Sequence, residues 1–131
     1  MVCVVVLLAA SAFGLLHRKR DGRLKVRDGE RLLGERELGA ALGERATLVQ
    51  FSSAFCQPCR ATRRILTEVT QLVEGVAHIE IDAEQHLQLV RDLDILRTPT
   101  VLVLDADGRL VRRASGQPRK ADVLAALGEA V

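Results

Sequence analysis

The sequence predicts a layered α/β domain carried behind a hydrophobic N-terminal helix. Three observations predict it. Short apolar runs of strand length alternate with segments of helical periodicity. A Cys-Gln-Pro-Cys motif, Cys56 to Cys59, sits where one such run gives way to a helix. Asp107-Gly108 is a turn that folds the last two runs into a hairpin. With 131 residues, 48% of them hydrophobic, the chain is long enough for one domain with a real core plus a short appendage.

Residues 2–16 are almost wholly apolar, and His17-Arg18-Lys19-Arg20 follows at once. As a helix that stretch measures roughly 22 Å against about 30 Å of hydrocarbon, and basic side chains at its end can snorkel to the interface. Residues 1–20 are therefore expected to be a single-pass membrane anchor with a basic flank at the cell membrane. Retention of Lys and Arg on the cytoplasmic side places the domain there. The alternative is a cleaved signal peptide that exports the domain, with Ala10-Ser11-Ala12 as its small-residue site. Against it stand the absence of a positive residue before the apolar run and the basic cluster after it. Cys3, inside the run, reads as a small hydrophobe.

Residues 21–34 are charged, carry glycines without periodicity, and read as a linker to a domain over 35–131. Leu38 and Leu42, four apart within 37–42, give a short helix that Gly43 stops. Residues 47–51 are a buried strand. A helix runs from Gln57 to about residue 73 with Ile65, Leu66, Val69, Leu72 and Val73 on one face, while Arg60, Arg63 and Arg64 read as solvated. Residues 76–81 alternate as a strand, 84–92 are helical, and 100–104 form a continuous apolar strand. After the turn at 105–108 the chain returns antiparallel over 110–114, and 119–130 close it as a helix with Val123, Leu124 and Leu127 inward. The order is α-β-α-β-α-β-β-α.

Two cysteines three positions apart at a helix start make a redox centre rather than a brace. The reactive species is the thiolate, and a helix N-terminus stabilises it with unpaired N–H groups and the positive end of the dipole. If the helix starts at Cys56, that sulfur caps it and is exposed, Cys59 lies one turn inside, and Pro58 fits the first turn, where no N–H is needed. Cys56 is then the nucleophile and Cys59 the resolving thiol. Three cysteines are too few for a disulfide scaffold. A net charge of +2 and three aromatic residues, all Phe, leave no footprint for nucleic acid. Zinc held by Cys56, Cys59, His78 and His86 lacks the usual spacing of a second ligand pair, so no metal is expected.

Phe55-Cys56-Gln57-Pro58-Cys59-Arg60 resembles the active site of the thioredoxin family, and the element order over 35–131 resembles its fold, a central mixed sheet with helices on both faces. The resemblance implies thiol–disulfide exchange with no cofactor beyond a redox-active Cys56–Cys59 disulfide, supported by Phe55, Gln57 and Pro58. Thr98-Pro99 lies where the family has its cis-proline loop, which implies that Thr98, Pro99 and Gly116 border the substrate. Three departures matter. Phe55 stands where Trp is usual, and Gln50 where many members have a buried Asp that assists proton transfer at the resolving cysteine. Glutamine cannot titrate; either His78, on the next strand, joins it in a relay, or Gln50 is a satisfied buried amide. Thr98 replaces the Ile frequent in reducing members, which leaves the redox poise open. The expected function is a monomeric, membrane-held thiol–disulfide oxidoreductase reducing protein disulfides with the help of a redox partner. The alternatives are a redox-sensing adaptor, or an outward-facing disulfide oxidase or isomerase.

Overall fold

A computed structural model describes residues 1–21 and 32–131, and the expected linker lies largely outside the described residues. Helix α1 (Val2–Asp21) precedes a domain built from α2 (Glu35–Leu38), β1 (Ala46–Ser52), α3 (Gln57–Leu72), β2 (Val76–Asp82), α4 (Leu87–Asp92), β3 (Thr100–Asp105), β4 (Leu110–Ser115) and α5 (Lys120–Ala130). The sheet has the order β2-β1-β3-β4. β1 runs parallel to β2 and antiparallel to β3, and β4 is antiparallel to β3, so the sheet is mixed as expected.

The sequence of β1 explains its central place. All seven residues of Ala46–Ser52 are buried, which requires a strand covered on both faces. Alternate residues feed two cores. Val49 and Phe51 join Ile79, Ile81, Leu102 and Leu104 on one face, beneath Leu38 of α2 and the partly buried Leu89 and Val90 of α4. Ala46 and Leu48 join Val101 and Val103 on the other, against Leu66 and Val69 of α3 and Val123 and Leu127 of α5. That second face carries the site, because by the same alternation Gln50 points towards α3.

Several boundaries differ from expectation for local reasons. α2 ends early because Gly39, at φ 74°, forms a left-handed cap whose N–H bonds the Glu35 carbonyl, so Ala40 to Leu42 leave the helix. α4 starts late because Asp82 holds the preceding turn: its Oδ1 accepts from Glu84 N–H at 2.9 Å and its carbonyl from Gln85 N–H at 3.2 Å. Leu72 is 64% exposed and Leu124 36% exposed, so neither belongs to the inward faces assigned to them. Both sit at the margin of an apolar stripe that the 3.6-residue repeat makes wider than the core it meets. In the β3–β4 turn Asp105 Oδ1 accepts from the N–H groups of Asp107 and Arg109, at 3.0 and 2.9 Å. Gly108 there has φ 89°, and a side chain on it would run into the Leu33 carbonyl, 2.2 Å from its Cβ position. Leu33, 2% exposed, donates its N–H to the Gly108 carbonyl, so residues 32–34 lie against the domain.

The transmembrane expectation for residues 1–20 is corrected. The helix forms, but among the described residues no helix is long and apolar enough to cross a membrane. The apolar stretch stops at Leu16, and the last turn of α1 is His17-Arg18-Lys19-Arg20-Asp21. Val2, Val4 to Leu8, Phe13 and Leu15 are exposed around α1.

Candidate active site

The chain leaves β1 at Ser52 and enters α3 at Gln57 through a loop that ends on the dithiol. Phe55 adopts φ 60°, a left-handed conformation that costs a bulky side chain about 1–3 kcal/mol. Its ring is fully exposed, so among the described residues none compensates the cost by packing. Cys56, in extended conformation, is the N-cap of α3, and its Sγ accepts from Cys59 N–H at 3.2 Å. Cys56 and Cys59 are joined as a disulfide. Pro58 occupies the first turn, and its carbonyl accepts from Thr62 Oγ1 at 2.8 Å. Cys56 is half-buried and Cys59 is 2% exposed. The capping sulfur thus sits at the surface in the field of the helix, and its partner lies inside. Cys3 is a free, exposed cysteine on α1.

Beneath Cys59 lies Gln50, fully buried. Its Nε2 donates to the Cys59 carbonyl at 2.8 Å and to Ser52 Oγ at 3.0 Å, and its Oε1 lies 3.1 Å from His78 Nε2. A carbonyl can only accept, so the Cys59 contact fixes which end of the amide is nitrogen. Oε1 therefore faces His78 and can only accept, which makes His78 Nε2 the donor and leaves Nδ1 without a proton in the neutral ring. Gln50 is a satisfied buried amide. It links β1, β2 and the first turn of α3, and its own atoms carry no titratable proton.

Burial lowers the pKa of His78; Glu80 acts to raise it and Arg63 to lower it. Glu80 and Arg63 are themselves paired, Arg63 Nε and Nη2 each donating at 2.6 Å, in an exposed bridge worth little on its own. The sign of the consequence is fixed. Unfolded His78 takes up a proton near pH 6.5 and folded His78 only at lower pH, so stability is present above that value and lost as pH falls through the folded pKa. Urea midpoints measured between pH 7 and 5 should drop, and His78→Gln should make the drop smaller. An unchanged slope in the variant would locate the acid sensitivity elsewhere.

The Thr98–Pro99 peptide bond is cis. Thr98 Oγ1 and Ser53 Oγ share a hydrogen bond of 2.8 Å, which seats this loop against the segment leading to Cys56. The Pro99 carbonyl accepts from Gly116 N–H at 2.8 Å, bringing Gly116, at φ 89°, to the same place. Thr98, Pro99 and Gly116 are thus assembled with Cys56, Cys59, Phe55, Gln57 and Pro58 at one end of the sheet, while Gln50 lies below them. Sequence reasoning missed Ser52, Ser53 and Arg97. The two serines follow an apolar strand and look like ordinary loop residues, and Arg97 looks like any surface cation. Arg97 Nη2 donates to the Ser115 carbonyl at 2.9 Å.

The comparisons agree with this architecture. A family model described as thioredoxin matches residues 35–129. Thioredoxin of Mycolicibacterium smegmatis is 33% identical over 89 residues, 64% of this chain and 77% of that one. The mouse protein named thioredoxin domain-containing protein 2 is 38% identical over 58 residues, 44% of this chain, and the match spans only 11% of the mouse protein. Among solved structures, Fasciola hepatica thioredoxin superposes with a TM-score of 0.59 at 20% identity, covering 68% of this chain and 84% of that one. Oxidised mitochondrial thioredoxin 3 of Saccharomyces cerevisiae gives 0.58 at 17% identity over 66% and 79% of the two chains. These two likenesses concern the fold. The match across residues 35–129, with a Cys56–Cys59 disulfide capping α3 beside a cis Thr98–Pro99 bond, shows that the chain belongs to the thioredoxin family.

Proposed function

We propose that this protein is a thiol–disulfide oxidoreductase that reduces protein disulfides through Cys56, with Cys59 as the resolving thiol. The observation that carries the reading is the difference between the two sulfurs: Cys56 caps α3 at the surface, and Cys59 is buried one turn inside. In the reduced chain the Cys56 thiolate attacks one sulfur of a substrate disulfide. That forms a mixed disulfide and expels the other substrate sulfur as a thiolate, which water protonates. Cys59 then gives up its proton and attacks Cys56 Sγ, releasing the second substrate thiol. The substrate gains two electrons and the chain ends as the Cys56–Cys59 disulfide. A dithiol donor, the expected redox partner, restores the reduced form.

Gln50 cannot accept the Cys59 proton, and its Oε1 is already bonded to His78. The proton therefore leaves to water or to the departing substrate thiolate. Thr98 and Pro99 offer backbone to an extended substrate segment, Gly116 borders it with the Arg97 guanidinium lying over its Cα, and the exposed Phe55 ring supplies apolar contact. The test uses the full, reduced chain as monomer, a disulfide-bonded protein substrate, and a dithiol reductant in excess. Reduction should run well above the rate of the reductant alone and disappear once the reduced chain is alkylated. A rate equal to that of the reductant alone would sink the reading.

The proposal includes a membrane location on the cytoplasmic side. A helix apolar around its circumference is not stabilised by water, and the side chains of residues 1–15 are exposed, so a lipid surface is the environment that suits it. Partial insertion of residues 2–16, followed by basic residues at the headgroups, fits its length better than a full span. Cys56 in intact cells should then be protected from a thiol reagent that cannot cross the membrane. Labelling from outside would favour disulfide oxidation or isomerisation in its place.

A further inference from the structure

The segments 53–60, 96–99 and 115–118, which carry the dithiol, the cis-proline loop and Gly116, hold Arg60 and Arg97 and no carboxylate, while Asp82 and Glu84 lie beyond Ser52, whose carbonyl accepts from Ala83 N–H at 2.8 Å. Arg97 is held in place. Its Nη2 donates to the Ser115 carbonyl, and the guanidinium lies over the bare Cα of Gly116, 3.2 Å from where a Cβ would stand. Its own carbonyl accepts from Thr100 Oγ1 at 2.6 Å, so both ends of the residue are fixed beside the cis Thr98–Pro99 bond. Arg63, Arg112 and Lys120 are ion-paired, with Glu80, Glu129 and Glu68. Arg97 is exposed, and its Nη2 has a backbone carbonyl rather than a carboxylate for a partner. Next to it Leu96 is 94% exposed, and Phe55 stands fully exposed across the loop junction made by Ser53 and Thr98.

We propose that Arg97 is a specificity-determining residue that selects extended peptide substrates bearing a carboxylate beside the target cysteine. An extended segment laid along Thr98 and Pro99 passes the Arg97 guanidinium on its way to Cys56 Sγ. A planar fork with donors free matches a carboxylate in a way a lone ammonium does not. Leu96 and Phe55 take the apolar neighbours of that carboxylate, which suits a peptide better than a small-molecule disulfide. Attraction between Arg97 and the substrate acts when the mixed disulfide forms at Cys56, so it appears in kcat/KM. The inference rests on the thiol–disulfide exchange reading above.

Two peptide disulfides that differ only in a Glu or a Gln next to the cysteine provide the test, with the full reduced chain as reductant. The Glu peptide should be reduced about two- to five-fold faster at low salt, the gain expected from one exposed pair. The ratio should fall towards one as salt rises and the screening length shrinks to a few Å. Arg97→Gln should remove the ratio and Arg97→Lys restore part of it. A preference that survives in Arg97→Gln but vanishes in Arg60→Gln overturns the assignment to Arg97. A wild-type ratio of one, or one indifferent to salt, overturns the proposal whether or not the variants fold. If neither peptide is reduced, exchange itself is wrong; equal reduction of both leaves exchange intact and sinks only the role of Arg97.

Discussion

Replacing Cys59 with serine is expected to stall the chain after a single exchange, with substrate held covalently at Cys56. The geometry makes the two cysteines unequal. Cys56 Sγ lies at the surface, where it accepts the Cys59 N–H at the start of α3, so the helix stabilises negative charge on that sulfur. Cys59, 2% exposed, reaches no incoming disulfide and meets only Cys56. In the native chain its thiol is an intramolecular attacker, whose effective concentration far exceeds any external thiol at about 1 mM. Serine keeps the shape of the turn and removes that attacker. Multiple-turnover reduction should fall by about a hundred-fold or more, and mass spectrometry of a non-reducing digest should find the adduct on Cys56. The reciprocal variant, Cys56→Ser, should form almost none. Adducts arising on Cys59 as readily as on Cys56 would mean that the burial difference does not order the two thiols.

The parts of this site that were legible in the sequence are those whose signal is local. Cys56 and Cys59 lie within one helical turn of each other, Pro58 marks that turn, and Asp107-Gly108 marks the hairpin. Gln50 stood out through the resemblance, because it stands where many family members have a buried Asp. Of its partners only His78, 28 positions away, was named, and through the family resemblance; Ser52 and the Cys59 carbonyl were not legible, nor was the bond between Ser53 and Thr98, which spans 45. Such contacts follow from strand order and register, which periodicity does not supply. Helix ends failed for a different reason: Gly39 and Asp82 each stop or delay a helix through backbone bonds that compete with continuing it. The length of the apolar N-terminal run was read correctly as short, yet its spanning role was still expected; the basic turn that closes α1 shows why it falls short.

Gln50→Leu should be the most damaging single change near the dithiol that leaves both sulfurs in place. Leucine is close in volume, so little of the effect comes from a cavity. The loss is polar. The Cys59 carbonyl and Ser52 Oγ lose a donor in a region from which water is largely excluded, and the half-buried His78 Nε2–H loses its acceptor. Removing one side of a buried hydrogen bond leaves its partner unsatisfied, at about 1–3 kcal/mol for each group that finds no substitute. The Cys59 carbonyl lies inside α3 and keeps the helical N–H, and the half-buried His78 can turn towards solvent, so the sum stays below three full penalties. A destabilisation of about 2–4 kcal/mol is expected, read as a lower urea midpoint with an unchanged slope. A double-mutant cycle with His78→Leu separates the contributions: once the histidine is gone, Gln50→Leu should cost about 1 kcal/mol less, because the two side chains share a bond. Additivity in that cycle would mean that His78 does not hold the amide. A neutral Gln50→Leu would mean that the start of α3, and with it Cys59, is positioned by the helix cap alone.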